Sequence, residues 1–404
     1  MKNFILQFFI GLTAFLFIQE IGLAQDAFCP NPFAYCNINY VPTPGRPFGM
    51  VTSNDGQWLF VGTTEDVCNA NQCGAQGGVA LYKVVRSNLI FEGVLLITNS
   101  AYSSDLKVTH DGKLLVVANS NFTSFIDTNL LISFLSNASS VNPVLGTIND
   151  GVTKNGTAAG SIYLNITTDD KFLFVSDENL GQITVINLQK ARSNKFNQNS
   201  IVGAIPVGQS PVGIIFSADQ KYLYTTSEVS LPSWGWPASE QGQGAVIVID
   251  VNIAETNPVD SVVERVPSGI NPVRLALSPM GDLLYVTVRG DNSLYVFNTT
   301  KLIYDPNRSL ISKVPVGISP VGVSLIDNNK YILVANSNRF GTPPQGSLSL
   351  LNLSRVNAGY GASSLVETIP AELFPREIAS TVNKKTIFVS NYDSDAVEII
   401  NSIE

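Results

Sequence analysis

The segment IPVGQSPVGIIFSADQKYLYTTSE, residues Ile205 to Glu228, reads as three short strands joined by a corner and a turn. Val207-Gly208 closes the first strand, and Ser210-Pro211 makes the corner. Ile214 to Ser217 is a brief apolar run. Ala218-Asp219-Gln220 is a turn with Asp where turns favour it. Tyr222 to Thr226 is aromatic and β-branched, which suits a pleated, half-buried surface. A unit this small cannot bury its own faces, so the segment predicts stacked copies of itself.

The corner–strand–turn–strand pattern begins at Arg46, Tyr102, Gly160, Ser210, Asn271, Ser319 and Phe374, which makes seven copies. A third strand is expected after each: Gly78 to Val84, Leu130 to Leu135, Gln182 to Asn187, Ala245 to Asp250, Ser293 to Phe297, Ser347 to Asn352 and Ala396 to Ile400. A fourth lies between copies, as in Ile201 to Val207, Val262 to Val266 and Ile311 to Val316. Seven units of four strands predict an all-β fold, a seven-bladed β-propeller. No helical apolar period stands out beyond the N-terminus. The last copy has no fourth strand after it. Cys36 to Val41 is expected to supply it, completing blade seven, locking the ring and removing an open sheet edge.

The N-terminus is a mostly apolar run from Phe4 to Ile18, followed by Gly22-Leu23-Ala24. It predicts a signal peptide, residues 1–24, ahead of one propeller domain, 25–404, secreted and with no membrane span once cleaved. A net charge of −8 with no basic stripe argues against nucleic-acid binding. Sequons at Asn121, Asn137, Asn155, Asn298, Asn307 and Asn352 are candidate glycosylation sites; an intact sequon at Asn165 is expected to stay bare. Export makes disulfides the natural reading of the cysteines, as Cys29–Cys36 and Cys68–Cys73. A zinc site is the alternative, but the chain has a single histidine, His110.

Ile205-Pro206-Val207-Gly208, Val314-Pro315-Val316-Gly317, Ser278-Pro279-Met280-Gly281 and Tyr285-Val286-Thr287-Val288 carry a resemblance to the YVTN-type propellers over nearly all of the mature chain. That resemblance implies the fold. The wider group includes secreted lactonase-like and muconate-cyclase-like propellers as well as members that only bind, so it leaves activity open. It also implies, for the cyclase-like members, a histidine near the channel. Here His110 falls in a turn at the opposite rim.

Strand alternation nominates the channel lining. Two residues beyond each corner stand Gly49, Asp105, Tyr163, Gly213, Arg274, Gly322 and Glu377. The residues three and five beyond are nearly all apolar and belong between blades. The polar channel set is then Asp105, Lys107, Tyr163, Asn165, Arg274, Ser324 and Glu377. Arg274 is expected to stand partly unpaired as an anion clamp, with Glu377 or Asp105 moving protons. The alternative is that these charges neutralise one another and merely finish the channel. Trp234 and Trp236, on a Pro/Gly-rich loop at the same rim, are expected to stack on a sugar, to cap the channel or simply to pack onto the rim beneath. Arg289-Gly290-Asp291 and the run from Asp393 to Asp395 read as tight turns, ahead of an integrin motif and a calcium loop respectively. No phosphate loop, nucleophile elbow or zincin motif is present, and no cofactor or metal is expected. The sequence thus favours a monomeric, secreted binding propeller for a small anionic or sugar-like ligand, or a partner protein. A lactonase-like hydrolase or cyclase using Arg274 with Glu377 or Asp105 is the alternative.

Overall fold

Each copy of the repeat folds into a four-stranded antiparallel sheet, and there are seven such sheets. The computed structural model describes residues 38–401, apart from 65, 66, 70, 71, 75 and 152. In the fourth blade the strands are Gln209–Phe216, Tyr222–Val229, Ala245–Asp250 and Val262–Pro267, paired in that order. The first strands of successive blades touch one another all the way round, which makes them the inner wall of a closed ring. Ile38–Pro42 pairs antiparallel with Ala396–Asn401 and is the outer strand of blade seven, as the sequence predicts.

Seven apolar clusters lie one at each interface between neighbouring blades. Leu164 and Ile166, three and five residues beyond the corner of blade three, pack with Val116 and Phe125 of blade two. Each such fully buried side chain contributes roughly 1.5–3 kcal/mol. A ring closed by these contacts needs no other core.

The structure corrects the second blade. Leu130 to Leu135 is not a strand but part of a helix, Thr128–Leu135, and the third strand is Phe122–Asp127. The helix starts there because Asp127 Oδ1 accepts the Leu130 amide at 2.9 Å. Thr128, Leu131 and Leu135 form its buried face. Asn187, Asp250, Asn298 and Asn352 cap short helices at the same point of blades three to six. These segments of four to eight residues are too short to show an apolar period in sequence. Two of the sequon asparagines, Asn298 and Asn352, are therefore also helix caps.

Cys68 and Cys73 are partners in the backbone register of a two-stranded ribbon, Val67–Asn69 with Gln72–Gly74. Cys29, Cys36 and the N-terminal apolar run lie outside the described residues. Among the described residues no helix is long and apolar enough to cross a membrane.

Candidate functional site

Every inner strand breaks register with its neighbour just past the corner, for example between Pro47 and Met50, Pro211 and Ile214, and Pro375 and Ile378. A bulge of this kind sets two residues against one and interrupts simple alternation. Its consequence is that the residue one beyond the corner looks into the channel mouth. Val212, Val273 and Val321, at that position in blades four to six, pack together there with Phe374, which precedes the corner of blade seven.

Above this floor is a cavity of about 380 Å³ to which six of the seven blades contribute through the residue after the corner, and to which Tyr102 adds the corner of blade two. Its polar lining comes from the end of the second strand and the residues just past it: Glu228 within that strand in blade four, Glu178, Arg289 and Tyr392 directly after it in blades three, five and seven, and Arg339 three residues after it in blade six. Arg376, one beyond the corner of blade seven, completes the set. Three guanidiniums thus face two carboxylates at the mouth of a protein whose formal net charge is −8.

The three arginines are not equivalent. Arg289 donates from Nη2 to Glu228 Oε2 at 2.8 Å. Arg376 lies 3.4 Å above the ring of Phe48, with Phe374 and Tyr392 at 5.3 and 5.6 Å, and Tyr392 meets Phe48 edge-on. Neither Arg376 nor Arg339 has a carboxylate within ion-pair distance among the described residues, and the Nε of each is buried without a hydrogen-bond acceptor. Burial away from water, with Arg274 and Arg339 nearby, pulls the ionisation of Arg376 down to about 9. An ordinary guanidinium stays charged above pH 12. The shift reports an unsatisfied charge that an anion would relieve. Burial also lifts the Glu228 carboxyl, with Arg289 opposing, and lifts Tyr102 to about 12, so its phenol stays a donor.

One step deeper lies the cluster the sequence nominates. Asp105, Lys107, Tyr163, Arg274 and Glu377 do come together. Lys107 Nζ is 3.4 Å from Asp105 Oδ2, and Arg274 Nε is 3.3 Å from Glu377 Oε2. Arg274 and Lys107 stand over the Tyr163 ring at 4.2 and 4.9 Å. Arg274 is therefore ion-paired and only 2% exposed, not the open clamp expected. Asp105 accepts the Leu164 amide of the next blade at 3.1 Å. Glycine fills the same position in blades one, four and six because a Cβ on Gly49, Gly213 or Gly322 would come within 2.4–2.7 Å of the neighbouring inner strand's carbonyl oxygen. Asn165 is drawn away toward blade four, donating to Ile214 O at 3.3 Å. Ser324 stands half-buried on the inner strand of blade six.

The remaining candidates fall into place around the two rims. Trp234 and Trp236 meet edge to face at 5.1 Å on the loop of blade four. Arg289–Asp291 is a turn whose charges are both engaged: Arg289 with Glu228, and Asp291 with the Tyr295 hydroxyl. Tyr392–Ser394 is likewise a turn, and no cluster of metal-ligating side chains occurs among the described residues. His110 Nδ1 lies 2.8 Å from Asp170 of the next blade, at the far rim.

Sequence reasoning missed the rim residues, though the repeat marks them. They occupy two stretches of the repeat, the residue after the corner and the end of the second strand with the residues just past it, and vary from blade to blade in charge and aromaticity.

The fold and its mouth define a seven-bladed propeller with an arginine-lined cavity at the head of a closed channel. The family described as Lactonase, 7-bladed beta-propeller matches residues 38–340, well over half of the 404 residues, and the chain belongs to it. Arg376, Glu377 and Tyr392 lie beyond the matched span. No curated relative matches in sequence. A chain of the Kuenenia stuttgartiensis hydrazine synthase is similar in structure, with a TM-score of 0.65 and 18% identity, over 90% of this chain and 97% of that one. A chain of a mitotic checkpoint complex is similar with a TM-score of 0.60 and 13% identity, over 95% and 99%. These two share the fold alone.

Proposed function

We propose that this is an exported propeller that binds a small organic anion in the rim cavity, with Arg376 and Arg339 as the clamp and Phe48 and Tyr392 as its apolar wall. One observation carries the reading: two guanidiniums face the cavity at the channel mouth with no acidic partner of their own among the described residues. A buried charge left without a counter-ion is costly, and a carboxylate or phosphate making paired hydrogen bonds offsets that cost. Arg274, Glu377 and Asp105 form the polar floor beneath. Export is supported by the N-terminal apolar run and by sequons at the exposed Asn137, Asn155 and Asn307.

Family membership and Glu228 favour a second reading, hydrolysis of a lactone held in the same cavity. A carboxyl raised by burial beside Arg289 is suited to take a proton from water and return it to the leaving alkoxide. The guanidiniums would hold the developing oxyanion.

Thermal unfolding with citrate as the probe tests the first reading. Citrate should raise Tm through mass action. Arg376→Ala should abolish the rise, while Arg274→Ala, on the paired channel residue, should keep it. An equal citrate response in wild type and Arg376→Ala removes the rim cavity from consideration. Acid release from a panel of lactones, lost in Glu228→Gln, tests the second.

A further inference from the structure

Beside the rim cavity, between blades three and four, is a larger cleft of about 720 Å³. Its features point to a ligand of different chemistry. Trp234 lines it and is held in place from several sides. Trp236 meets its ring edge-on, and the Arg265 guanidinium sits 5.5 Å from it. Gly208, at φ +97°, lets the ring rest on bare backbone, since a Cβ there would come within 2.6 Å of it. Arg265 Nε is buried and has no acceptor. Glu178 lines both this cleft and the rim cavity, and its carboxylate has no hydrogen-bond or ion-pair partner among the described residues. Gln209 adds a planar amide to the same wall, and so does Asn179, whose Nδ2 already donates to Ala158 O at 3.0 Å and leaves its oxygen as the free end.

One immobilised aromatic ring, a free carboxylate, two amides and a guanidinium with an open donor form the set that a sugar requires. A pyranose offers a face of C–H groups to an aromatic ring. Around its edge, each hydroxyl both donates and accepts, and planar carboxylates and amides meet two neighbouring hydroxyls at once. The small anion cavity opens beyond Glu178, so the acid group and the ring of one ligand can be held side by side.

We infer that the Trp234 cleft is a saccharide subsite and that the protein's ligand is an acidic saccharide. Its hydroxylated ring lies against Trp234 with hydroxyls on Glu178 and Arg265, and its acid group reaches Arg376 and Arg339. The acid half rests on the function proposed above; the ring half stands on the cleft alone.

Calorimetric titration of the full chain with tri-galacturonate, and with maltotriose as the neutral probe, separates the two. Tri-galacturonate should bind. Trp234→Ala should weaken it about tenfold or more, and Trp234→Phe, which keeps a ring in the loop's packing, should recover most of the loss. Glu178→Gln should weaken both probes. Unchanged tri-galacturonate affinity in Trp234→Ala and Glu178→Gln overturns the cleft, and if Arg376→Ala still abolishes binding, the anion cavity survives that result. Loss in Trp234→Ala with no change in Arg376→Ala keeps the cleft and removes the anion cavity. Absence of binding by both sugars overturns the saccharide assignment.

Discussion

At the scale of single residues, Arg376 shows how shape and charge combine. Its guanidinium carbon stands over the Phe48 ring, 3.4 Å from the centroid, a closeness suited to a planar cation and not to an ammonium. Arg376→Lys keeps the charge and loses the stack and the forked donors. It should lower citrate affinity about tenfold, an intermediate value between wild type and Arg376→Ala, read from the same Tm titration. Asn165 gives a prediction of the opposite kind. Its Nδ2, the atom a glycan would occupy, donates to Ile214 O inside the ring, while Oδ1 accepts the Ile166 amide. Site-occupancy mass spectrometry of the protein expressed through a secretory pathway should find Asn155 modified and Asn165 bare. A fully occupied Asn165 would contradict the observed strand register.

Among elements, the second strand explains why the repeat carries a hydroxyl near its end. Ser176, Thr226, Thr287 and Ser390 each donate to the carbonyl one beyond the corner of the next blade: Val212, Val273, Val321 and Phe48, at 2.7–3.0 Å. These bonds stitch blade to blade where apolar packing stops and the channel begins. Thr226→Val is nearly isosteric and strands the Val273 carbonyl in a dry interface. It should cost about 1–2 kcal/mol in denaturant unfolding, with an unchanged m-value. The same elements show what could be read beforehand. Blade number and the inter-blade apolar pairs were legible because each is a period, of about fifty-five residues for the repeat and of two within a strand, and closure followed from the count of strands. The rim site was not, because the bulge after each corner breaks the period of two at the residues that line the mouth. The capped helices escaped for a related reason: one polar cap sets them, and they end before any period shows. The five charged and aromatic residues of the channel cluster were found, but alternation gives facing and not partnership, so it left open whether Arg274 pairs with Glu377 or stands free, and the structure shows the pair.

For the whole molecule, the ring should loosen as pH rises. Glu398 is fully buried in the strand that receives Ile38–Pro42, and burial lifts its carboxyl from 4.5 to about 7 against the opposing bond from Asn391. Asp177 is lifted to about 7 by burial as well, and Ser161 Oγ bridges it to Asp150 at 3.0 and 2.9 Å. Folded protein therefore holds protons that the unfolded chain releases near its ordinary carboxylate range. The stability linked to these groups is complete below about pH 4 and is lost as pH climbs toward 7. Tm should fall between pH 5 and pH 8, and Glu398→Gln should flatten that slope by on the order of 1–3 kcal/mol. A Tm that rises over this interval would remove the argument. Deleting residues up to Pro42 should be more severe, baring the edge of Ala396–Asn401, and should give aggregated protein.

The clasp between Ile38–Pro42 and Ala396–Asn401 also sets an order of events in time. A ribosome makes the first of these strands early and its sheet partner among the described residues more than three hundred and fifty residues later. Through the whole of synthesis the early strand must wait unpaired, while six complete blades can assemble beside it from local hairpins. Closure is then a single encounter between the two ends of the chain, at the far limit of sequence separation, where rates are slowest. Until that encounter each molecule carries one loose strand and one open edge that match those of every other copy. The clasp that finishes the ring in one chain can therefore, at high enough concentration, tie two chains together.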